Sequence, residues 1–461
     1  MTDPILDTAD SATPIHAIGP DKLEAALGAL HPLARAMATQ AKFEAKAGQA
    51  LAIPGEDGGV DRILFGLGAK ADPWSFRGLP TKLSSGAYRI AEAPADLDTR
   101  KAALAFALGT YRFGRYKQAQ PGDGPSLLVE DAAMATAVRS IAHACALARD
   151  MVNTPANDMG PLQLEAIARE IAQQYGATLT TVVGDALLEE NYPAVHAVGR
   201  AAVEARSPRM LEIAWGDPTH PLVVIVGKGV VFDTGGLDIK PSAGMRQMKK
   251  DMGGAAHALA LGRMIMAARL AVRLVVITPV VENAISGDAM RPGDVLASRK
   301  GLSIEVGNTD AEGRLILADA LTRAAELDPV LTIDLATLTG AARAALGPQL
   351  PPFYTDDDGL AADLARHAED QADHLWRMPL WKGYEDALDS DIADLKNDPD
   401  GWAQAGSVTA ALFLKRFAPT TGAWIHFDIF AWNPRARPGY LAGGEAQAIR
   451  ALFALLSERY G

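Results

Sequence analysis

The chain has 461 residues, of which 49% are hydrophobic and 22% are charged, and its net charge at pH 7 is −12. This composition is ordinary for a folded protein of about two or three domains, and the acidic balance argues against broad binding to nucleic-acid phosphates. A single cysteine, Cys145, excludes an internal disulfide and a thiolate metal site. With nine histidines and no HExxH motif, a metal would be held largely by carboxylates.

The sequence contains no stretch of about 18 uncharged apolar residues, the length that a transmembrane helix needs. The first seven residues are acidic and lack the basic-then-apolar order of a secretion signal. We therefore expect a cytoplasmic protein without a membrane partner.

Residues 1–130 are expected to form an N-terminal α/β domain. Helical patches occur at residues 21–30 and 100–108, and a short apolar run occupies residues 62–67. The turn cluster Pro121–Pro125 is the best candidate for a domain boundary, because proline and glycine interrupt both helices and strands.

An alanine-rich stretch with apolar residues at helical spacing predicts a connecting helix over residues 131–152, at the start of a second domain, 131–461. After residue 178, strand patterns alternate with helix patterns. The predicted strands cover residues 210–215, 222–226, 273–281, 330–335 and 424–430, and the predicted helices cover residues 252–270, 315–327 and 341–345. Several strands are continuous apolar runs, which indicates burial on both faces. The prediction is an α/β fold with a mostly parallel central sheet flanked by helices.

Polar residues follow the ends of the predicted strands, where α/β proteins gather their chemistry. The segment after Val226 carries Lys228, Asp233 and Lys240 among four glycines. Asp251 opens the alanine-rich helix further along, and its ordinary interpretation is an N-cap.

A second such segment, Asn308–Leu315, follows a predicted hairpin over residues 295–306. Asp310 and Glu312 supply hard oxygen ligands, and Arg314 supplies a fixed cation for an anion. Thr309-x-x-Glu312 also matches a capping box, so the stretch could simply start a helix. Four carboxylates meeting at one sheet end would repel each other, whereas two divalent ions would make the cluster favourable. A two-metal site is the economical joint explanation.

These stretches resemble the leucyl (cytosol) aminopeptidase family. The resemblance lies in NTDAEGRL at 308–315 and GKGVVFDTGGLDIKPS at 227–242, with supporting blocks at 148–158, 249–256, 333–341 and 406–414. It covers roughly residues 109–461, whereas the first 108 residues match poorly.

The resemblance implies a metallo-aminopeptidase that removes the N-terminal residue of peptides with a free amine, by attack of a water that bridges two metals. The implied metal ligands are Lys228, Asp233, Asp251, Asp310 and Glu312, with Asp233 and Glu312 bridging two Mn²⁺ or Zn²⁺ ions. Lys240 would polarise the substrate carbonyl, and Arg314 would hold a bicarbonate that acts as general base. The implied substrate-binding residues are Met248, Ala311, Thr337, Leu338 and Gly340. A homohexamer is implied as well.

One segment departs from the family pattern. After His426-Phe-Asp428-Ile, the chain places Phe430 and Trp432 where small residues are usual, which puts a preference for leucine in doubt. Two other function classes fit the sequence less well. Phe232–Gly236 resembles the phosphate loop of sugar and acetate kinases, although a lone glycine-rich loop is weak evidence. A non-catalytic oligomer or DNA-binding relative is disfavoured by the complete set of polar residues and by the acidity, so nucleic acid is an unlikely partner.

Overall fold

The computed structural model describes residues 3–55, 58–118, 124–399 and 404–461. The chain divides into two compact units, Met1–Ala146 with Arg435–Ala442, and Leu147–Pro434 with Gly443–Gly461. The division falls inside a long helix, C-terminal to the boundary predicted at residue 130. Most of the predicted turn cluster, residues 121–123, lies outside the described residues.

The first unit contains one sheet whose strands run parallel except at one edge. Its elements are β1 Ile5–Leu6, β2 Thr13–Ile18, α1 Leu23–Gly28, α2 Pro32–Gln40, β3 Ala50–Pro54, β4 Val60–Gly66, β5 Gly86–Glu92, α3 Thr99–Thr110, β6 Pro125–Leu128 and the start of α4 Ala132–Asn153. The strand order is β1-β6-β5-β2-β4-β3, and only β3 pairs antiparallel with its neighbour. The apolar run at residues 62–67 becomes β4, largely buried.

The second unit is built on a larger sheet. Its elements are α5 Pro161–Tyr175, β7 Thr178–Val183, α6 Ala186–Glu189, α7 Pro193–Gly199, β8 Arg209–Trp215, β9 Leu222–Gly227, β10 Gly229–Asp233, α8 Ser242–Met245, α9 Gly253–Ala268, β11 Arg273–Asn283, β12 Val295–Ala297, β13 Ser303–Glu305, α10 Glu312–Ala325, β14 Leu331–Ala336, α11 Gly340–Leu346, β15 Pro352–Tyr354, α12 Asp358–Asp370, β16 Trp376–Arg377, β17 Leu395–Lys396, α13 Gly406–Lys415, β18 Ala423–Asp428, β19 Trp432–Asn433, β20 Gly443–Gly444 and α14 Ile449–Tyr460.

The centre of this sheet is parallel, in the order β18-β14-β9-β11, and β8 and β15 flank it antiparallel. α9 packs against β9, β11 and β14, while α10 packs against β9 and β11. Every residue of β9 is buried, as expected for a strand covered on both faces. The predicted α/β fold with a mostly parallel sheet flanked by helices is confirmed. Among the described residues, no helix is both long and apolar enough to span a bilayer.

α10 is tied to its surroundings by one buried carboxylate. Asp319 is fully buried, and its Oδ2 accepts hydrogen bonds from the backbone N–H groups of Ala194 at 2.8 Å and Val195 at 3.1 Å. Its Oδ1 accepts a third, 2.8 Å long, from the Arg299 N–H. The Asp319 carboxylate of α10 therefore accepts hydrogen bonds from N–H groups in the first turn of α7, which have no acceptor within their own helix.

Asp319→Ala should lower the free energy of unfolding by about 2–4 kcal/mol, because it leaves three buried N–H groups without an acceptor. Asp319→Asn should cost less, since its carbonyl oxygen still accepts. Chemical denaturation would measure both, with Asp363→Ala on the surface of α12 as the control. Equal midpoints for Asp319→Ala and the control would contradict this role.

Candidate metal centre

Charged residues from several loops meet at the carboxyl ends of the parallel strands. Lys228 follows β9 directly, and Asp233 is the last residue of β10. Asp251 directly follows a short 3-10 turn ahead of α9, and Glu312 is the first residue of α10. Because neighbouring parallel strands end at one edge, segments distant in sequence become neighbours there.

Three carboxylates form the centre of this cluster. Asp233, Asp310 and Glu312 each present an oxygen, and these oxygens all lie within 4.8 Å of one another. Asp233 and Glu312 are buried, whereas the Asp310 side chain is 33% exposed. Like charges this close are unfavourable without cations.

Two lysines supply positive charge to the cluster. Lys228 Nζ donates a 2.6 Å hydrogen bond to Asp251 Oδ2 and lies 2.9 Å from Glu312 Oε1. Lys240 Nζ lies 2.8 Å from Asp233 Oδ2 and forms a second ion pair with Asp310. The structure thus brings all five predicted metal-ligating residues, together with Lys240, into one connected set.

Burial and charge shift the pKa values of these groups in opposite directions. Burial, reinforced by the Asp233 carboxylate, raises the pKa of Glu312 to about 8 and that of Asp310 to about 6. Burial also opposes the charge of Lys228, but the carboxylates of Asp251 and Glu312 outweigh it and hold the Lys228 pKa above its usual value. Lys228 therefore stays protonated. The raised pKa of Glu312 indicates that the positive charge nearby does not offset burial and the negative charge of the other carboxylates.

The donor set fits divalent cations. Neither oxygen of Glu312 accepts a hydrogen bond from the described residues, although Oε1 faces the Lys228 ammonium. A buried carboxylate without hydrogen bonds is costly, and a bound cation removes that cost. Carboxylate oxygens are the ligands that Mn²⁺ and similar ions prefer, and Zn²⁺ accepts them as well.

Close packing brings Lys228 next to α10. A Cβ built on Gly313 would lie 2.4 Å from Lys228 Cε, so position 313 has no room for a larger residue. On the other side, the Thr337 hydroxyl donates a 2.9 Å hydrogen bond to Asp251 Oδ1. Gly313 thus leaves room for the Lys228 side chain, and the Thr337 hydroxyl holds the Asp251 carboxylate in position.

The capping interpretations of Thr309 and Asp251 are wrong. α10 is preceded by Ala311 without any side-chain cap, and Thr309 Oγ1 instead donates a 2.6 Å hydrogen bond to the Gly235 carbonyl oxygen. α9 likewise begins after Met252 without a side-chain cap. Thr309 and Asp251 instead form hydrogen bonds with residues of neighbouring loops, Gly235 and Lys228 respectively.

Two asparagines that the sequence analysis missed hold the loops in place. Asn283 Nδ2 donates 2.8 Å and 3.1 Å hydrogen bonds to Asp233 Oδ1 and the Thr309 carbonyl oxygen. Asn397 Oδ1 accepts from the Gly307 N–H, and its Nδ2 donates to the Asn308 carbonyl oxygen, both at 2.8 Å. Asn283 ends β11, so the strand-end rule applied to that strand would have found it. No local pattern marks Asn397.

Arg314 is buried beside this loop and carries spare donors. Its Nη1 donates a 2.7 Å hydrogen bond to the Asn397 carbonyl oxygen, and its guanidinium lies 6.0 Å from the Phe413 ring centroid. Among the described residues, its Nε has no hydrogen-bond partner and no carboxylate forms an ion pair with it. A buried guanidinium of this kind is suited to a small anion.

The predicted substrate-binding residues border the cluster. Met248 belongs to the 3-10 turn that ends before Asp251, and Ala311 lies between Asp310 and Glu312. Thr337 and Leu338 follow β14, and Gly340 is the first residue of α11. The Leu338 N–H is already bonded to Asp428 Oδ1 at 3.0 Å, so it has no free donor for a substrate.

Comparison with known proteins assigns a family to this arrangement. The family model for the catalytic domain of the cytosol aminopeptidase family matches residues 146–453, and that for the M17 aminopeptidase N-terminal domain matches residues 13–125. A probable cytosol aminopeptidase of Syntrophotalea carbinolica is 41% identical over 390 residues, which cover 80% of this chain and 78% of the relative.

Solved structures agree over almost the whole length. The cytosol aminopeptidase of Coxiella burnetii has a TM-score of 0.93 at 42% identity, with 100% of both chains covered. A bottromycin maturation enzyme, solved in complex with Mn, has a TM-score of 0.87 at 30% identity and covers 99% of this chain and 100% of its own. The chain therefore belongs to the cytosol aminopeptidase (M17) family and is an aminopeptidase, a hydrolase that acts on peptides.

Proposed function

We propose that this aminopeptidase uses two divalent metal ions, Mn²⁺ or Zn²⁺, held at the carboxylate cluster. The observation that carries the proposal is the convergence of oxygens of Asp233, Asp310 and Glu312 within 4.8 Å, together with a Glu312 carboxylate that accepts no hydrogen bond from the described residues. Asp233 and Glu312 would bridge both ions, Asp310 would complete one site, and Lys228 with Asp251 would complete the other. The complex of a similar enzyme with Mn supports this choice.

When bound, the ions would supply Lewis acidity and an activated water for attack on the scissile carbonyl. Lys228 must lose its proton to become a ligand, because only the neutral amine has a free lone pair. Lys240 stays protonated at the edge of the cluster, where its ammonium stabilises negative charge on the substrate carbonyl oxygen. Arg314 would hold a bicarbonate, which would supply a general base next to the cluster.

The substrate is a peptide with a free N-terminal amine, bound along Met248, Ala311, Thr337, Leu338 and Gly340. Its amine binds at the metal cluster, which restricts cleavage to the first residue. The names of the relatives support a cytoplasmic location. We also propose a homohexameric assembly, on the family resemblance alone.

The reaction is tested with aminoacyl p-nitroanilides and their N-acetylated counterparts, on metal-stripped enzyme to which Mn²⁺ or Zn²⁺ is returned. Glu312→Gln should lose more than roughly 100-fold in kcat/KM, because a neutral amide cannot bridge two dications. Its metal content, measured by mass spectrometry, should fall, while the far-UV circular dichroism stays unchanged.

Glu369→Gln, an exposed change on α12, serves as the matched control and should retain metal and activity. Equal rates on blocked and free-amine substrates would show that the amine-directed mechanism is wrong. Full metal content in an inactive Glu312→Gln enzyme would remove Glu312 from the ligand set.

The roles of the two cations are separable by their response to bicarbonate. Lys240→Ala should slow turnover more than Arg314→Ala, because a bulk base can partly replace a positioned anion, whereas nothing replaces an ammonium held at the cluster. Rates in bicarbonate-depleted buffer, with and without added bicarbonate, measure the difference. The wild-type enzyme should be stimulated and Arg314→Ala should not. Equal and complete loss in both variants would contradict this division of roles.

A further inference from the structure

One exposed arginine beside the proposed substrate pocket forms no ion pair with any residue that the structure describes. Arg343 lies on α11, and its guanidinium carbon lies 4.5 Å from the ring centroid of Phe430. In the part of the chain that the structure describes, its side chain forms no hydrogen bond and no ion pair. A guanidinium has five N–H donors, so this side chain retains its full capacity for a carboxylate.

The guanidinium is directed back toward the predicted substrate residues. Its Nη2 lies 3.8 Å from the point that a Cβ on Gly340 would occupy. The Phe430 ring that it contacts is also within 5.5 Å of Lys250 Nζ, and Lys250 directly precedes Asp251 of the metal cluster. One aromatic ring thus links the cluster to Arg343.

The acidic side chains nearby are committed to other donors. Asp428 Oδ1 accepts 3.0 Å hydrogen bonds from the Leu338 and Thr339 N–H groups. Its Oδ2 accepts from the Thr339 hydroxyl at 2.6 Å and the Ser407 hydroxyl at 2.9 Å. All four donors are neutral groups that satisfy the hydrogen-bonding capacity of this carboxylate, and among the described residues it forms no ion pair with the guanidinium.

Asp251 is occupied in the same way. Its oxygens accept from Lys228 at 2.6 Å and from the Thr337 hydroxyl at 2.9 Å, and Lys250 Nζ donates to it at 3.4 Å. The pocket therefore combines a bulky ring with a guanidinium that forms no direct ion pair with any carboxylate of the described residues. An aliphatic side chain would gain nothing from that charge, whereas a carboxylate would.

We propose that Arg343 binds the side-chain carboxylate of the substrate's first residue, so that the enzyme selects peptides with N-terminal glutamate or aspartate. Phe430 fixes the guanidinium by stacking, and the ring fills space that a leucine side chain would otherwise use. The inference rests on the proposed function, since it assigns a substrate class to the same site.

Glutamyl and glutaminyl p-nitroanilides differ in charge and hardly in size, so the ratio of their kcat/KM values isolates the carboxylate. The wild-type enzyme should favour glutamyl over glutaminyl substrate by about tenfold or more, the usual scale of a charge-assisted pair. Arg343→Gln should bring this ratio close to one, and Arg343→Lys should keep part of it. Arg291→Gln, an exposed arginine elsewhere in the second unit, is the matched control and should keep the wild-type ratio.

A wild-type ratio near one, or an unchanged ratio in Arg343→Gln, would overturn the inference. Hydrolysis of leucyl p-nitroanilide distinguishes a failure of the substrate assignment from a failure of the proposed function. If it is hydrolysed while the glutamyl preference is absent, only the substrate assignment fails. If no free-amine substrate is hydrolysed with either metal, the proposed function fails as well.

Discussion

Repulsion among carboxylates at one end of a sheet is the constraint on which this catalytic unit depends. Asp233, Asp310 and Glu312 lie within 4.8 Å of one another, two of them buried, and no apolar surrounding could stabilise three such charges. Lys228 and Lys240 offset part of the charge through ion pairs. Apart from its ion pair with Lys228, Glu312 accepts no hydrogen bond from the described residues, so bound cations would stabilise the cluster.

The surrounding fold serves to keep these charges close. β9 is buried throughout and ends directly at Lys228, while α9 and α10 cover the sheet. Gly313 lets Lys228 approach α10 closely. Asn283 and Asn397 bind backbone groups of the loop that carries Asp310. The strand ends and the hydrogen bonds of these asparagine amides hold the charged groups in fixed positions. Electrostatic catalysis needs such a fixed arrangement of charges.

Strand and helix positions followed from periodicity because they depend on local pattern. The predicted strand at residues 222–226 is β9, and the predicted hairpin at 295–306 is the antiparallel pair β12 and β13. The predicted helix at 315–327 begins earlier, at Glu312, since charged residues at its start conceal the apolar pattern. The role of Thr309 was misassigned, because its partners are Gly235 and Asp238, more than 70 positions away in the sequence.

The sequence by itself determined the family, the α/β fold class and the identity of the charged residues, because these reside in contiguous motifs such as residues 227–242 and 308–315. Only the tertiary structure decided which side chains neutralise which, and that Asn397 supports the loop. It also decided that Arg343 lies against Phe430 and forms no ion pair among the described residues. These contacts depend on burial and on partners far apart in the chain. Neither produces a local periodic pattern in the sequence from which it could be predicted.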